Sequence, residues 1–382
     1  MKKIKIAQFT PYFSPHKWGL EMIAETISKY LVEGKYSDII NITSSIWQSE
    51  YLSSHSKVVY KNINIWYTVD GYKVIVVPSF EIVHNFPCPK FRTSEFRLIL
   101  QYLKKENPDI IQTHTRFFLQ TLLGWIVAKW LKKLRVHVEH GSGYVGWYAW
   151  YIKFFAWLFD VTFWLLIFRQ ADKIITISAR NISFIKKFTK KPITVIYNPI
   201  HYSPKKSEYG NVFHIGFVGR LVALKWLDIL IRALKGIENM SWICSLVWEW
   251  DQRKNLESLV KEQGLSDRIT FVWLDDRSNW IHKFNVFVNP SYQEWLPTTV
   301  VEWLLSKCVV VATDVGGTSE ISDQKDLILV KPGNVSDLQK GLEYAIKNCK
   351  KLQWLSYDDV YEKFDSKKSV KKYYEVYLSL QK

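Results

Sequence analysis

Two carboxylates flank a proline and a threonine pair in one short segment, Asn289-Pro-Ser-Tyr-Gln-Glu294-Trp-Leu296-Pro297-Thr298-Thr299-Val-Val-Glu302. An apolar run ends at Asn289 as a strand would, and Pro297 predicts a helix start because its missing N–H costs nothing there. The amides of Thr298 and Thr299 then lie at a helix amino terminus, which favours phosphate binding. Glu294 could accept hydrogen bonds from sugar hydroxyls, and Glu302 from a ribose. The simpler alternative is a surface turn followed by a capped helix.

Two cations follow an earlier predicted strand, in the segment Ile215-Gly216-Phe-Val-Gly219-Arg220-Leu-Val-Ala-Leu-Lys225. Gly219 marks a turn, and the segment after Lys225 has the spacing of a helix. Two fixed positive charges can neutralise a departing diphosphate without a metal. The alternative is a pair of solvated surface cations. Elsewhere the acid pairs Asp275-Asp276 and Asp358-Asp359 resemble ordinary loop residues.

A histidine follows a predicted strand in the amino-terminal half, within Glu139-His140-Gly141-Ser142-Gly143. His140 could hydrogen-bond a sugar or steady developing charge, although a lone histidine in this position is as often structural. Asn198, before Pro199, lies at a predicted hinge. Because ligands of doubly wound sheets bind beyond the carboxyl ends of the strands, all three segments are predicted to lie at a ligand site.

Strands and helices alternate along the whole chain, which indicates α/β architecture with parallel sheets and crossover helices. The series breaks at Asn198–Gly210, a proline-, lysine- and serine-rich stretch that reads as a linker. The sequence therefore predicts two Rossmann-like, doubly wound domains facing across a cleft. The predicted bounds are 1–203 and 204–362, with a terminal helix over 363–382. The predicted strands are Ile4–Phe9, Ile39–Thr43, Tyr72–Val77, Asp109–Thr113, Val136–His140, Lys173–Ile177, Thr194–Tyr197, Phe213–Val218, Cys244–Val247, Ile269–Val272, Val286–Asn289, Val309–Thr313 and Leu327–Val330.

Composition bounds the environment and the partners. The 382 residues include four cysteines with no C-x-x-C spacing, which fits a reducing cytoplasm better than a disulfide framework. The net charge is +16, and nearly all of the excess lies in residues 1–205. That half is expected to meet something anionic, namely a lipid surface or a phosphorylated acceptor, unless the charge serves solubility alone. Nucleic acid is not expected, because the basic residues are scattered.

Two segments could contact a membrane. Trp147–Phe168 is apolar but interrupted by Lys153 and Asp160 on one helical face, so an amphipathic helix is favoured over a span. Such a helix could pack in the core or lie at a membrane interface. The tail Ser366–Lys382 is predicted to be helical, and it could dock on the body or touch a membrane.

The chain resembles glycosyltransferase family 4, a group of retaining enzymes of the two-domain GT-B type. The family's E-x7-E pair falls on Glu294 and Glu302, its diphosphate-binding cations fall on Arg220 and Lys225, and its amino-domain histidine falls on His140. Its first glycine-rich loop falls on Lys17-Trp18-Gly19. The other donor-binding candidates are Gly219, Asn198, Leu296, Pro297, Thr298 and Thr299.

The resemblance implies a UDP- or GDP-sugar donor bound by the second domain, no metal and no cofactor. It also implies same-face attack, and a final helix that crosses back to the first domain. A lipid-linked or polysaccharide-type glycan acceptor at the inner face of the plasma membrane would fit the basic half. Two alternatives stay open: a nucleotide-sugar epimerase of the same fold, and a non-catalytic protein that binds membrane or glycan.

Tryptophan occupies positions where the family pattern places glycine, and the chain holds 18 tryptophans. A bulky indole does not replace glycine where a positive φ or a close backbone approach is needed. Either the tryptophans are genuine and the protein is degenerate, or a stop codon reassigned to glycine has been read as tryptophan. The survival of Arg220, Lys225, Glu294 and Glu302 favours the second explanation. The positions are Trp18, Trp226, Trp248, Trp250, Trp273 and Trp295, with Trp303 replacing another small residue.

Overall fold

The chain forms two compact units, which are described separately. The first unit comprises Met1–His201 together with Ser366–Lys382, and the second comprises Tyr202–Asp365. The computed structural model describes residues 3–13, 19–46, 56–83, 86–116, 118–141, 143, 150–200, 212–220, 225–249, 253–273 and 279–381, with backbone alone at 82, 83, 151–153, 155, 156, 220, 248, 249 and 253.

The first unit is built on a nine-stranded sheet in the order β11-β10-β9-β8-β1-β2-β5-β4-β3, beside a two-stranded β6-β7 ribbon. Its central strands are buried on both faces, which suits the apolar runs of a parallel sheet covered by helices. The strands are β1 Ile4–Phe9, β2 Ser37–Ser44, β3 Ser56–Tyr60, β4 Ile63–Tyr67, β5 Lys73–Val77, β6 Ser79–Val83, β7 Phe86–Pro89, β8 Ile110–His114, β9 Leu134–Glu139, β10 Lys173–Thr176 and β11 Ile193–Val195.

Helices cover the first sheet. Thr93 caps the helix that follows β7, because its hydroxyl accepts the Phe96 amide at 3.2 Å. The last helix of the chain packs on the first one, and Tyr374 stacks on Tyr36 with ring centroids 4.6 Å apart. The helices are α1 Gly19–Glu33, α2 Ser94–Glu106, α3 Leu119–Leu131, α4 Trp150–Phe159, a π-helical turn Asp160–Trp164, α5 Leu165–Gln170, α6 Arg180–Ile185 and, at the end of the chain, α12 Ser366–Leu380.

The second unit is a six-stranded parallel sheet in the order β14-β13-β12-β15-β16-β17. Leu230 and Leu234 of α7 pack with Leu338 and Leu342 of α10 in one apolar core against this sheet. The strands are β12 His214–Arg220, β13 Ile243–Glu249, β14 Ile269–Trp273, β15 Val286–Asn289, β16 Val309–Thr313 and β17 Leu327–Val330. The helices are α7 Leu227–Gly236, α8 Arg253–Glu262, α9 Thr298–Leu305, α10 Val335–Leu352 and α11 Tyr357–Phe364, with a 3₁₀ turn Thr318–Glu320.

In each sheet the strand order reverses between two parallel strands near the centre, which creates a crevice at their carboxyl ends. The reversal falls between β1 and β8 in the first unit, and between β12 and β15 in the second. The segments around His140 and around Lys225 and Glu294 follow strands at or beside these reversals. The predicted α/β fold class with two Rossmann-like domains is confirmed.

The structure refines several local predictions. Strands β3, β4, β6 and β7 form antiparallel hairpins that the alternating pattern did not indicate. Helix α9 begins at Thr298, so Pro297 is the capping residue rather than the first helical one. The unit bounds fall after residues 201 and 365, whereas the predicted bounds fall after residues 203 and 362.

The apolar stretch after Trp147 is an amphipathic helical segment. Trp164 and Phe168 are fully buried in a core cluster, whereas Phe163 and Leu166 are 45% and 43% exposed. Residues 147–149 lie outside the described ranges. Within those ranges no helix combines the length and the apolar composition that crossing a membrane requires.

Candidate functional site

A lysine–glutamate pair lies at the strand reversal of the second unit. Lys225 follows β12, Glu294 follows β15, and the Lys225 ammonium donates a hydrogen bond to Glu294 Oε1. The same oxygen accepts from Ser291 Oγ at 2.7 Å and from Asn289 Nδ2 at 3.3 Å. Three donors therefore converge on Oε1.

The carboxyl of Glu294 is held ionised. Burial by itself would raise its pKa, but the Lys225 charge and the hydrogen bonds from Lys225, Ser291 and Asn289 outweigh burial and lower the pKa. A carboxylate of low basicity in this position can accept hydrogen bonds from hydroxyl groups and is a weak nucleophile. Sugar binding by Glu294 stays a prediction.

Gly316, in the loop after β16, packs closely against the backbone of the loop that carries Glu294. Its φ is +55°, and a Cβ in its place would lie 2.0 Å from the Glu294 carbonyl oxygen. The neighbouring Gly317 amide donates to the Trp295 carbonyl at 2.7 Å. Gly316 and Gly317 therefore fix the backbone that carries Glu294, and at Gly316 another side chain would not fit.

Helix α9 begins directly after the loop that carries Glu294. Thr298 and Thr299 are its first two residues, so their amides have no acceptor within the helix and are available to an anion. Leu296 and Glu302 are buried, at 5% and 8% exposure. Lys225 is therefore in contact with Glu294, and Glu294 lies a few residues before the start of α9.

The remaining predicted donor residues are placed as follows. Gly219 and Arg220 end β12, but the Arg220 side chain lies outside the described part of the structure. Gly19 is the first residue of α1. Asn198 follows β11 and is 1% exposed; its Oδ1 receives no hydrogen bond in the described structure.

His140 follows β9 in the first unit and is 1% exposed. Its Nε2 lies 3.1 Å from Nδ1 of His114, the last residue of β8. Burial, together with the nearby His137, lowers the pKa of His140 to about 4 against the opposing effect of Glu139. Burial also holds the pKa of His114 well below its ordinary value. Both rings are therefore neutral at pH 7, and His140 acts as a hydrogen-bonding group rather than as a cation.

A buried ion cluster supports the loop that begins at His140. The fully buried Arg116 donates through Nη1 to Glu139 Oε1 at 3.0 Å and through Nε to Asp160 Oδ1 at 3.1 Å. It also donates to the Gly143 carbonyl, and Glu139 Oε1 accepts the Gly141 amide at 2.7 Å. A buried charge cluster is stable only when each charge has partners, so its loss would release the loop.

The two carboxyls of this cluster are shifted in opposite directions. Burial would raise the pKa of Glu139, but Arg116, His137 and the Gly141 amide lower it to about 2. Burial dominates at Asp160 and raises its pKa to about 6 despite Arg116. Asp160 begins the π-helical turn, a distortion that is frequent at functional sites.

Sequence reasoning missed several polar residues around His140. Gln8 in β1, Gln112 and His114 in β8, and Arg116 just after β8 are all buried. A signal was present, because polar side chains inside an otherwise apolar parallel strand need a partner in the core. Their partners come from distant parts of the chain, however, and cannot be read locally.

Two tryptophans have a positive φ, namely Trp226, which the family pattern had questioned, and Trp354, which it had not. Trp226 has φ +41° and Trp354 has φ +82°, in the left-handed region where a bulky residue is a rare outlier. Trp303 is fully buried and stacks on Phe287 with centroids 4.3 Å apart. Trp273 is 65% exposed, whereas Trp18, Trp250 and the Trp248 side chain lie outside the described structure. Positive φ values at Trp226 and Trp354 are what glycine positions would show.

The two-sheet architecture with a loop site at each strand reversal is that of GT-B glycosyltransferases. The glycosyl transferases group 1 model matches residues 212–348, and the glycosyltransferase family 4 model matches residues 57–203. The chain therefore belongs to the group 1, family 4 glycosyltransferases, and it is an enzyme of this transferase class.

Relatives and solved structures agree with this assignment. An uncharacterised glycosyltransferase of Methanocaldococcus jannaschii is 28% identical, over 99% of both chains. The O-antigen biosynthesis glycosyltransferase WclY of Escherichia coli is 28% identical over 57% of this chain and 64% of its own. The structure of HepE from Anabaena in complex with UDP and glucose superposes with a TM-score of 0.74, at 16% identity, over 98% of this chain and 100% of that one.

Proposed function

We propose that the protein is a retaining, metal-independent glycosyltransferase that uses a UDP- or GDP-sugar. The observation that carries the proposal is the Lys225–Glu294 pair at the strand reversal of the second unit. A fixed ammonium at this position can stabilise the charge that develops on a departing diphosphate. The α9 amides at Thr298 and Thr299 add partial positive charge for the same phosphates.

In the proposed chemistry the Glu294 carboxylate accepts hydrogen bonds from sugar hydroxyls and does not react. Because its Oε1 is occupied by three donors and its pKa is lowered, it is poorly suited to form a covalent bond to the sugar. We therefore expect the acceptor hydroxyl to attack from the face that the diphosphate leaves, with a phosphate oxygen taking the proton. The C1–O bond to the diphosphate breaks, the C1–O bond to the acceptor forms, and the anomeric configuration is retained.

The experiment compares two lysine–glutamate pairs of the second unit. Lys225→Met is expected to lower kcat/KM about 100-fold or more, the effect of losing one charge-stabilising group. The matched control is Lys235→Met, whose partner Glu238 lies on an exposed face of the same unit; it is expected to change kcat/KM less than about twofold. Proton NMR of the product gives the anomeric configuration. Equal kcat/KM in both variants, or an inverted product, would refute the proposal.

Metal independence has its own test. The positive groups at Lys225 and at the α9 amino terminus are proposed to replace a divalent cation at the diphosphate. Protein dialysed against a chelator is therefore expected to keep its transfer rate. A rate that falls after dialysis and returns with Mn²⁺ or Mg²⁺ would contradict this part of the proposal.

We further propose an acceptor presented at an anionic lipid surface, in keeping with a lipid-linked or polysaccharide-type glycan. The helical segment α4 to α5 of the first unit exposes Trp157, Phe163 and Leu166, and α3 exposes Ile126 and Trp130. Exposed cations lie on or directly after α3, on α5 and directly after α6, namely Lys129, Lys132, Arg169, Lys186 and Lys187. Aromatic groups with surrounding basic residues fit an anionic membrane interface.

Vesicle binding tests the surface directly. The variant Phe163→Ser/Leu166→Ser is expected to sediment with phosphatidylglycerol vesicles at least about tenfold more weakly, because two half-exposed apolar groups lose their insertion. The control Leu329→Ser/Leu355→Ser removes side chains of similar exposure from the second unit. Equal binding of the two variants, or equal binding to neutral phosphatidylcholine, would count against a lipid surface at this face.

A further inference from the structure

Ser291 lies in the loop between β15 and α9 and contacts Glu294 from inside the second unit. Its Oγ lies 2.7 Å from Glu294 Oε1 and 2.8 Å from Asn289 Oδ1. Ser291 is fully buried, whereas the Glu294 side chain keeps 15% of its surface exposed. Ser291 therefore offers no surface of its own to a ligand, and any effect that it has on one passes through Glu294.

The hydroxyl hydrogen of Ser291 is shared between two acceptors. Asn289 Nδ2 lies 3.3 Å from Glu294 Oε1, and an ionised carboxylate can only accept, so this end of Asn289 is its NH₂ group. The other end, Oδ1, then faces Ser291 as a second acceptor. One hydrogen serves both oxygens in a three-centre arrangement, in which the charged carboxylate is the stronger acceptor.

The backbone of Ser291 is held by the neighbouring strand β16. Thr313, the last residue of β16, donates through Oγ1 to the Ser291 carbonyl, and the same hydroxyl lies 3.4 Å from the Asn289 carbonyl. Strands β15 and β16 pair in parallel with Asn289 opposite Ala312, so these contacts extend the pairing beyond its last residues. The position of the Ser291 hydroxyl is therefore fixed relative to the sheet.

The three donors on Glu294 differ in what else they can bind. Lys225 ends in an ammonium with three hydrogens, and its side chain is 22% exposed. In the proposed function this ammonium also meets the diphosphate, so it is shared between two anions when the sugar donor is bound. Ser291 and Asn289 are neutral and buried, so their hydrogen bonds stay with the carboxylate.

We propose that Ser291 is a positioning residue that holds the Glu294 carboxylate toward the sugar while Lys225 is shared with the diphosphate. The proposal rests on the proposed function, in which Glu294 accepts hydrogen bonds from sugar hydroxyls. It separates the two halves of the donor: Ser291 contributes to binding of the sugar and not to binding of the diphosphate. A serine that only shaped the turn between Asn289 and Glu294 would show no such separation.

Calorimetry with UDP-glucose and UDP, and with GDP-mannose and GDP as a second pair, measures this separation. Ser291→Ala is expected to bind the nucleotide sugar about tenfold more weakly and the free nucleoside diphosphate within about twofold of the unaltered protein. Lys225→Met is expected to weaken both. The matched control Ser245→Ala removes another buried hydroxyl of the second unit, which lies 2.9 Å from His214 Nε2, and it is expected to weaken neither.

Carbon-13 NMR of the Glu294 carboxyl tests the positioning role without any ligand. The Ser291 hydrogen bond favours the charged carboxylate, so Ser291→Ala is expected to raise the pKa of Glu294 and to move the acid limb of kcat/KM to higher pH. Ser291→Cys keeps the volume but donates weakly, and it is expected to act in the same direction if the alanine variant folds poorly. An unchanged pKa would show that the hydroxyl serves Asn289 instead, and it would overturn the proposal.

A double-mutant cycle checks that Ser291 acts through Glu294. Adding Ser291→Ala to Glu294→Gln is expected to change the nucleotide-sugar affinity less than about twofold, because the carboxylate that Ser291 positions is already gone. An additive tenfold loss, or an equal loss of nucleotide sugar and nucleoside diphosphate in Ser291→Ala alone, would refute the positioning role. A raised pKa of Glu294 without binding of any nucleotide sugar would refute the proposed function and leave the positioning of Glu294 intact.

Discussion

Asp160 provides a test of the buried ion cluster that supports the His140 loop. Burial raises its pKa from 3.8 to about 6, so the folded state holds the proton more tightly than the unfolded state. Ionisation of such a carboxyl lowers the free energy of unfolding. This cost is absent below about pH 4, and it grows until the pH passes the pKa of the folded state. The shift of roughly two units corresponds to about 3 kcal/mol at pH 7.

The substitution Asp160→Asn removes this titration and keeps an oxygen for the Arg116 Nε hydrogen bond. Relative to the unaltered protein, the variant's free energy of unfolding is expected to rise by about 2 kcal/mol between about pH 4.5 and pH 7. Glu139 does not obscure the window, because its pKa is lowered to about 2. The stability that Glu139 contributes is present above its pKa in the unfolded chain, and it is lost only as the pH falls below about 4.5.

Urea unfolding at several pH values measures the difference, and hydrogen exchange of β8 and β9 assigns it to the first unit. The control Asp172→Asn removes an acid from a partly exposed pair with Arg135 and is expected to cost less than about 1 kcal/mol. If the curves of Asp160→Asn and the unaltered protein run parallel from pH 4.5 to 7, Asp160 is not destabilised by burial and the cluster has been misjudged.

The remaining predictions concern backbone positions. Gly316→Ala is expected to abolish most donor binding, because its methyl group would displace the Glu294 carbonyl, whereas Gly264→Ala, also at positive φ but in open space, should cost only about 1–2 kcal/mol of stability. Similar donor affinity in the two variants would show that the close contact between Gly316 and the Glu294 loop does not affect donor binding. Peptide masses from the natural source are expected to show glycine at Trp226 and Trp354; tryptophan masses at both would establish that the indoles are genuine.

The second-unit site could be predicted because its signals are local. Strand, loop and helix start all lie within Asn289–Glu302, and each residue type has a meaning at its own position. Lys225 was found in the same way, from its place after a strand. The contact between Lys225 and Glu294 depends on β12 pairing with β15, which the doubly wound pattern already implies.

The network of buried polar residues around His140 could not be predicted because its signals are distant. Gln8 and Gln112 are 104 residues apart, and they meet because β1 and β8 pair in a register that sets them side by side. Tyr377, whose hydroxyl donates to Gln112 Oε1, lies 265 residues from it. A one-residue change of that register would turn these side chains to the other face, so no local pattern specifies the contact. The β3–β4 hairpin was missed for a different reason: Lys61 and Asn62 take positive φ without glycine.

Both units keep a buried carboxylate charged, and the first unit also keeps two buried histidines neutral. In the second unit Glu294 stays charged because a lysine and two hydrogen-bond donors compensate its burial. In the first unit burial keeps both His114 and His140 neutral, and at His140 it outweighs the nearby Glu139, whose charge is already satisfied by Arg116. In the proposed function, the fixed positive charge of Lys225 stabilises the leaving diphosphate.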